Sequence, residues 1–296
     1  MKGFLMGLIA GLAAIGAHAA DAPEPPAADW RDVDPDNLVL IDTRYGQVAV
    51  ELAPQFAPNH VERLRALIRA HFYDRLSFYR VIDGFVAQGG IGEGTAATKD
   101  HPKEAAALSQ WPPLKAEFEQ PMSAKQIFTP LGNRDLFAPE AGHIDGFPVG
   151  RENGRQWPIH CPGTFAFARD NGADTATTEF YIVIGEAPRR LDRNLTAFGR
   201  VIDGMQYLQK LNRGDPKVEN GVIQDISKRD PITRMRLAGD LPAPDRPHYQ
   251  VMRTDSASFA KEKALRKNPA PEFYLHTPPP ILDICGLSAP VRRVGE

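Results

Sequence analysis

Cysteine is almost absent. The 296 residues carry only Cys161 and Cys285, too few for the disulfide framework that staples small secreted folds. Neither stands near a second Cys or a His in metal-site spacing, apart from the adjacent His160, so no metal site is expected. Charge of one sign is also lacking. Lys plus Arg number 35 against 37 acids, a formal net charge of −2, which removes the electrostatic basis for nucleic acid or an anionic membrane as partner. The one long apolar run, Phe4 to Ala17, has 14 residues, short of the roughly 20 that span a bilayer. There is no G-x-S-x-G elbow, no P-loop and no H-E-x-x-H. Gly90-Ile91-Gly92-Glu93-Gly94 meets Thr95 where a dinucleotide fingerprint needs its last Gly. Asp32, Asp34 and Asp36 begin like a calcium loop, but Asn37 and Thr43 occupy the positions that need Gly and Glu. Hydrolytic, redox and cofactor chemistry are therefore not indicated, and no cofactor is expected.

What is present begins with an export signal. Met1-Lys2, the apolar run and Ala17-His18-Ala19 supply its charged, apolar and small-residue regions, so residues 1–19 read as a signal peptide cleaved after Ala19. The mature chain is expected to be exported to a bacterial periplasm, with no membrane span, as a monomer. In an exported chain Cys161 and Cys285 can form one disulfide or remain two buried thiols; pairing would tie the C-terminal tail to the main domain.

Residues 20–37, rich in Ala, Pro and Asp, read as a flexible lead. From Leu38 the composition changes. Leu38 to Thr43 and Gln47 to Leu52 are β-rich runs around the turn signal Tyr45-Gly46. Pro58 opens a segment with Val61, Leu64 and Ile68 at helical spacing, which predicts a helix over 58–72. Ser77 to Ile82 and Phe85 to Gln88 flank Asp83-Gly84 and predict a hairpin. A two-residue loop would set Ile82 opposite Phe85 and put Arg80 on the Phe85 face, with Gln88 pointing away unless a bulge intervenes. Residues 91–159 carry many Pro, Gly and charged residues and no sustained periodicity beyond a short helix at Lys103 to Trp111, and so read as a long loop insertion. Strands return at 164–168, 179–184 and 196–201, followed by a short helix at Met205 to Leu211 and a strand near Ile232 to Leu237. Many strands with two substantial helices point to an antiparallel barrel or sandwich over 38–239. The Pro-rich tail, 240–296, reads as extended or mobile chain.

The distinctive stretch is Phe78-Tyr79-Arg80-Val81-Ile82-Asp83-Gly84-Phe85-Val86-Ala87-Gln88-Gly89-Gly90. It closely resembles the cyclophilin pattern F-H-R-V-I-P-G-F-M-x-Q-G-G. The resemblance continues through Pro162 to Arg169, Thr178 to Ile182, and Leu191-Asp192-Arg193-Asn194 leading into Phe198-Gly199-Arg200-Val201, and covers roughly Leu38 to Leu237. It implies a mainly β fold, an eight-stranded antiparallel cyclophilin-like barrel capped by two helices, and peptidyl-prolyl cis/trans isomerase activity on proline-containing polypeptides. By the same resemblance Arg80 is the catalytic guanidinium and Gln88 binds the substrate backbone. Phe85, Val86, Tyr181 and Leu191 form the proline pocket, Ala168 and Arg169 hold the residue before proline, and Phe78 and Glu179 are further substrate-binding residues.

The residue types suit that chemistry. An X-Pro amide rotates against a resonance barrier of about 18 to 20 kcal/mol without breaking a bond, and a permanently charged guanidinium can favour the twisted state over both planar ones. Tyr79, Val86, Glu179, Arg190 and Leu195 depart from the family's usual His, Met, Gln, aromatic residue and His. Glu179 is placed to pair with Arg80 or to put a carboxylate at the rim. The alternative from another class is a cyclophilin-like module that binds proline segments, or acts as a chaperone, with little turnover.

Overall fold

The computed structural model describes residues 24–92, 99–269 and 271–295, so the expected signal peptide lies outside the described residues. The lead departs from the flexible segment expected. Strand β1 (Trp30–Asp32) pairs antiparallel with residues of the tail, Trp30 opposite Met252, and Val33 is buried behind it.

Strands β2 (Leu38–Thr43) and β3 (Gly46–Leu52) pair from Leu38↔Glu51 to Thr43↔Gly46. Val39 and Ile41 join the barrel core, while the alternate residues Leu38 and Leu40 join a second cluster with Tyr249, Val251, Phe259 and Leu287 of the tail. A strand apolar on both faces needs cover on both, since successive side chains point to opposite sides. Helix α1 (Pro58–Arg69) buries Val61, Leu64, Leu67 and Ile68 at 3–4 residue spacing. It ends three residues before the expected boundary, with His71 already at φ 56°. Ala57 offers no capping side chain. Glu117, brought from the insertion, takes the role instead, accepting from the Asn59 and His60 N–H groups at 3.2 and 3.1 Å and from His60 Nδ1 at 2.7 Å.

Strands β4 (Ser77–Val81) and β5 (Val86–Gly90) form the expected hairpin with a different loop. Ile82 donates to the Val86 carbonyl at 2.9 Å, so the connection is the three residues Asp83, Gly84 and Phe85, with Gly84 at φ 68°.

The insertion is more than a loop. It contains helix α2 (Pro102–Ala107) and a five-stranded antiparallel sheet of β6 (Gln120–Pro121), β7 (Thr129–Pro130), β8 (Glu140–Ile144), β9 (Phe147–Glu152) and β10 (Arg155–Pro158). Two tight turns build it. Asp145-Gly146 and Asn153-Gly154 both have positive φ at each residue (50° and 85°, 48° and 74°), as a two-residue turn matched to strand twist requires.

Beyond it run β11 (Thr164–Phe167), β12 (Phe180–Val183), β13 (Ala197–Asp203), the single-turn helix α3 (Met205–Leu208), β14 (Asp230–Pro231) and β15 (Arg234–Leu237). They complete a nine-stranded antiparallel sheet, ordered β14-β4-β5-β12-β11-β13-β3-β2-β15, which curls around a core rich in phenylalanine. The strand beyond the eight expected is the two-residue β14, where Pro231, lacking an N–H, occupies an edge as it must.

The described residues of the tail form regular elements. Strands β16 (Tyr249–Met252) and β17 (Val291–Arg293) make a three-stranded sheet with β1. Helix α4 (Ala257–Lys267) lies between them, capped by Ser256, which accepts from Phe259 N–H at 3.1 Å. Cys161 and Cys285 are disulfide-bonded across 124 residues of chain. No helix among the described residues is long and apolar enough to cross a membrane.

Candidate active site

The site arises from an irregularity in β4. The β4–β5 register shifts between Phe78 and Arg80. Phe78 pairs with Gly89, but Arg80 pairs with Gln88 and Val81 with Ala87. The extra residue, Tyr79, is a β-bulge, and two residues then oppose one. Phe78 and Val81 remain in the barrel core, while Arg80 stands beside Gln88. Arg80 Nη1 donates to Gln88 Oε1 at 2.9 Å, and Gln88 Nε2 donates to the Tyr79 hydroxyl at 2.5 Å. Arg80 Nε donates to the Asn220 carbonyl at 2.8 Å. Three fixed contacts thus orient the guanidinium and amide, and none uses Arg80 Nη2.

A cavity of about 330 Å³ opens over this pair. The structure brings Arg80, Phe85, Val86, Gln88, Ala168, Arg169, Tyr181 and Leu191 to its wall. Tyr181 and Val183 alternate with the core residues Phe180 and Ile182 along β12, so one strand serves core and pocket on opposite faces. Phe85, at the loop end, is half-exposed. The Ala168 N–H already donates to the Glu179 carbonyl at 2.8 Å. Arg169 Nε donates to the Asn194 carbonyl at 2.8 Å, which pins its side chain along the rim.

Two expected residues are not part of this cavity. Phe78 is fully buried, its ring edge-on to Phe180 at 5.9 Å. Glu179 lines a neighbouring cleft of about 180 Å³ with Gly92, Leu108 and Thr177, where its carboxylate accepts from Ile91 N–H at 2.9 Å. Three wall residues were missed by the sequence reading: Glu219, Asn220 and Val222. Their signal was Asn220-Gly221, a turn dipeptide; Glu219 and Asn220 both take left-handed φ, 43° and 53°, and Val222 bridges to Arg80.

Behind the wall the Tyr181 hydroxyl lies 2.9 Å from His160 Nε2, and burial pushes its phenol far above the ordinary value. Among the described residues no group of three His, Cys, Asp or Glu is placed to hold a metal. The arrangement offers an oriented cation and amide at one end of an apolar hollow, and aromatic and aliphatic walls at the other. It can hold a small apolar ring against a donor.

Residues 38–237 match the family model described as cyclophilin type peptidyl-prolyl cis-trans isomerase/CLD. A probable peptidyl-prolyl cis-trans isomerase of Brucella suis is 29% identical over 199 residues, covering 66% of this chain and 81% of that protein. Peptidyl-prolyl cis-trans isomerase B of Escherichia coli is 26% identical over 204 residues, covering 66% and 95%. Among solved structures, the cyclophilin AquaCyp293 from Hirschia baltica superposes with a TM-score of 0.70 at 28% identity, over 89% of this chain and 93% of that one. That share is too large to be confined to residues 38–237, so the likeness extends into the lead or the tail.

Proposed function

The chain belongs to the cyclophilin-type peptidyl-prolyl cis-trans isomerases, and from that membership we propose how its pocket turns an X-Pro bond. The observation that carries the reading is the Arg80–Gln88 contact at 2.9 Å on the floor of a cavity walled by Phe85, Val86, Tyr181 and Leu191. The proline ring sits against those walls in both isomers. Arg80 donates through Nη2 to the prolyl amide as resonance is lost and the nitrogen lone pair localises, which favours the twisted state over either planar one. Gln88 orients Arg80 and, when peptide binds, exchanges part of its bonding for the substrate backbone. The carbonyl of Ala168 and the backbone of Arg169 hold the residue before proline. No covalent intermediate is needed, because only a torsion changes.

Peptides and unfolded segments containing proline are the substrates. The protein acts as a monomer on exported proteins, delivered to a bacterial periplasm by the segment 1–19. Support for export comes from the apolar run and Ala17-His18-Ala19, and from two cysteines that meet across the fold. Exchange NMR on an Ala-Pro peptide with the purified chain tests the activity. Catalysed exchange between isomers is expected; binding without added exchange would replace the enzyme by a binding module.

A further inference from the structure

A line of buried polar side chains runs from the pocket wall to the inserted sheet. Tyr181 Oη lies 2.9 Å from His160 Nε2, and the two rings are nearly parallel, 12° apart. His160 Nδ1 is 3.1 Å from Asp192 Oδ1, which also accepts from the His160 N–H at 2.9 Å. Asp192 Oδ2 accepts from Arg189 Nε at 2.8 Å. Arg189 then donates through both terminal nitrogens to Asp135, at 3.0 and 2.8 Å. Asp135 stands in the turn before β8, where its carboxylate also accepts from the Phe137 and Ala138 N–H groups at 2.9 Å. His160 is wholly buried, and Tyr181, Asp192 and Arg189 nearly so.

The chemistry fixes the direction of each bond. A carboxylate only accepts, so Nδ1 carries a proton toward Asp192, and in the neutral imidazole the Nε2 lone pair faces the tyrosine, whose O–H donates to it. Burial disfavours ionisation of Asp135, but the Arg189 hydrogen bond and the two backbone donors outweigh it and lower its pKa. A bidentate guanidinium–carboxylate pair has one geometry, so each member has little freedom to turn. A wall needs only the apolar ring of Tyr181. Its hydroxyl, held from behind, also fixes where that ring stands.

We propose that His160 is a positioning residue of the isomerase: it sets the Tyr181 ring in the proline pocket, and Asp192, Arg189 and Asp135 hold it in turn. The inserted sheet thereby supports the pocket. This rests on the reading that the Arg80 cavity is the active site.

A double-mutant cycle on kcat/KM with the full chain tests it, with melting temperatures measured in parallel. Tyr181→Phe keeps the ring and removes the hydroxyl. His160→Asn keeps a donor toward Asp192 and removes the acceptor for Tyr181. Each single change is expected to lower kcat/KM about 5-fold, the worth of one net hydrogen bond. The pair together should be no worse than either alone, because both cut the same link. Asp135→Asn, which keeps an oxygen for the backbone donors, serves as a second probe if His160→Asn does not fold. Its loss of activity should vanish in the Tyr181→Phe background. Independent, multiplying losses, or a lowered melting temperature with kcat/KM unchanged, would overturn the proposal. An Arg80→Ala control separates the two readings. If that variant is fully active, the cavity is not the site; if it is inactive while the cycle is additive, only the positioning role fails.

Discussion

Arg80 stands opposite Gln88, 2.9 Å apart, because the single extra residue Tyr79 shifts the register of the β4–β5 hairpin. A regular ladder with the same sequence would send one of the two to the barrel core, since a one-residue slip reverses every side chain. The bulge is therefore the structural condition for the donor to face the pocket. Arg80→Ala should abolish most isomerisation while leaving fold and much of the peptide affinity intact, because in the proposed mechanism Phe85 and Tyr181 grip the ring in both isomers. The expected loss is about 2.7 to 4 kcal/mol of barrier lowering, roughly 100- to 1000-fold in rate, as for removal of one preorganised donor. Line-shape NMR on an X-Pro peptide reports rotation and affinity together. A variant as active as the wild type would remove Arg80 from the mechanism.

Much of this site was legible because it is carried by local sequence: the stretch from Phe78 to Gly90 contains the bulge, the donor, its partner and the first pocket aromatic. Phe78 was placed with Arg80 because regular alternation puts residues two apart on one face; the bulge at Tyr79, which the sequence reading left open, breaks that alternation and turns Phe78 into the core. The insertion was read as loop because its strands are short and interrupted by Pro and Gly. The informative signals there were Asp145-Gly146 and Asn153-Gly154, the strongest short hairpin markers. The tail was obscured by its prolines, although Ser256 ahead of Ala257 to Lys267 is a cap followed by good helix formers. Leu38-Val39-Leu40-Ile41 carried a further clue: apolar residues on both faces of one strand demand an outer cover, and the tail supplies it.

Glu117 ties the insertion to the barrel by capping α1. Burial raises its pKa, but the hydrogen bonds from the His60 side chain and from the His60 and Asn59 backbone outweigh this, and the net shift is downward. A depressed carboxylate stabilises fully above its unfolded value, about 4.3, and that stability is lost as pH falls through the folded value. Glu117→Ala should cost about 2 kcal/mol at neutral pH, from the lost cap and the stranded His60 nitrogen. Urea unfolding should also show a shallower acid limb below about pH 4.5 than the wild type. Identical midpoints would mean that the cap carries no stability.

The Cys161–Cys285 bond closes a loop of 124 residues and fastens the end of the tail beside the barrel. In the chain-entropy model such a link stabilises by up to about 4.7 kcal/mol, usually less in practice. Cys285→Ser should lower the melting temperature by several degrees and open residues 240–296 to proteolysis before the barrel is cut. Thiol labelling of the denatured, non-reduced wild type should find no free thiol. Two labelled thiols would show that the link is absent in solution.

His143 makes a separate, pH-dependent contact between the insertion and the tail. It sits in β8, 1% exposed, with Nε2 donating to the Leu287 carbonyl at 2.8 Å and its ring edge-on to Phe259 at 5.3 Å. Burial is the main cause that lowers its pKa to about 4; the Leu287 bond opposes this, and Arg200 and Lys263 add to it. The folded protein therefore refuses a proton that the unfolded chain, titrating near 6.5, accepts. Stability from this group is complete above about pH 6.5 and is lost as pH falls toward 4. Between pH 7 and 5 the loss should be about 2 kcal/mol, in a window above the one in which Glu117 acts. His143→Gln should be less stable than the wild type at pH 7, because its amide fits the pocket less well, yet flatter across that window. The measurement is denaturant unfolding at half-unit steps from pH 7.5 to 4.5. Parallel profiles for the two proteins would show that His143 is not the group that destabilises the docked tail in acid.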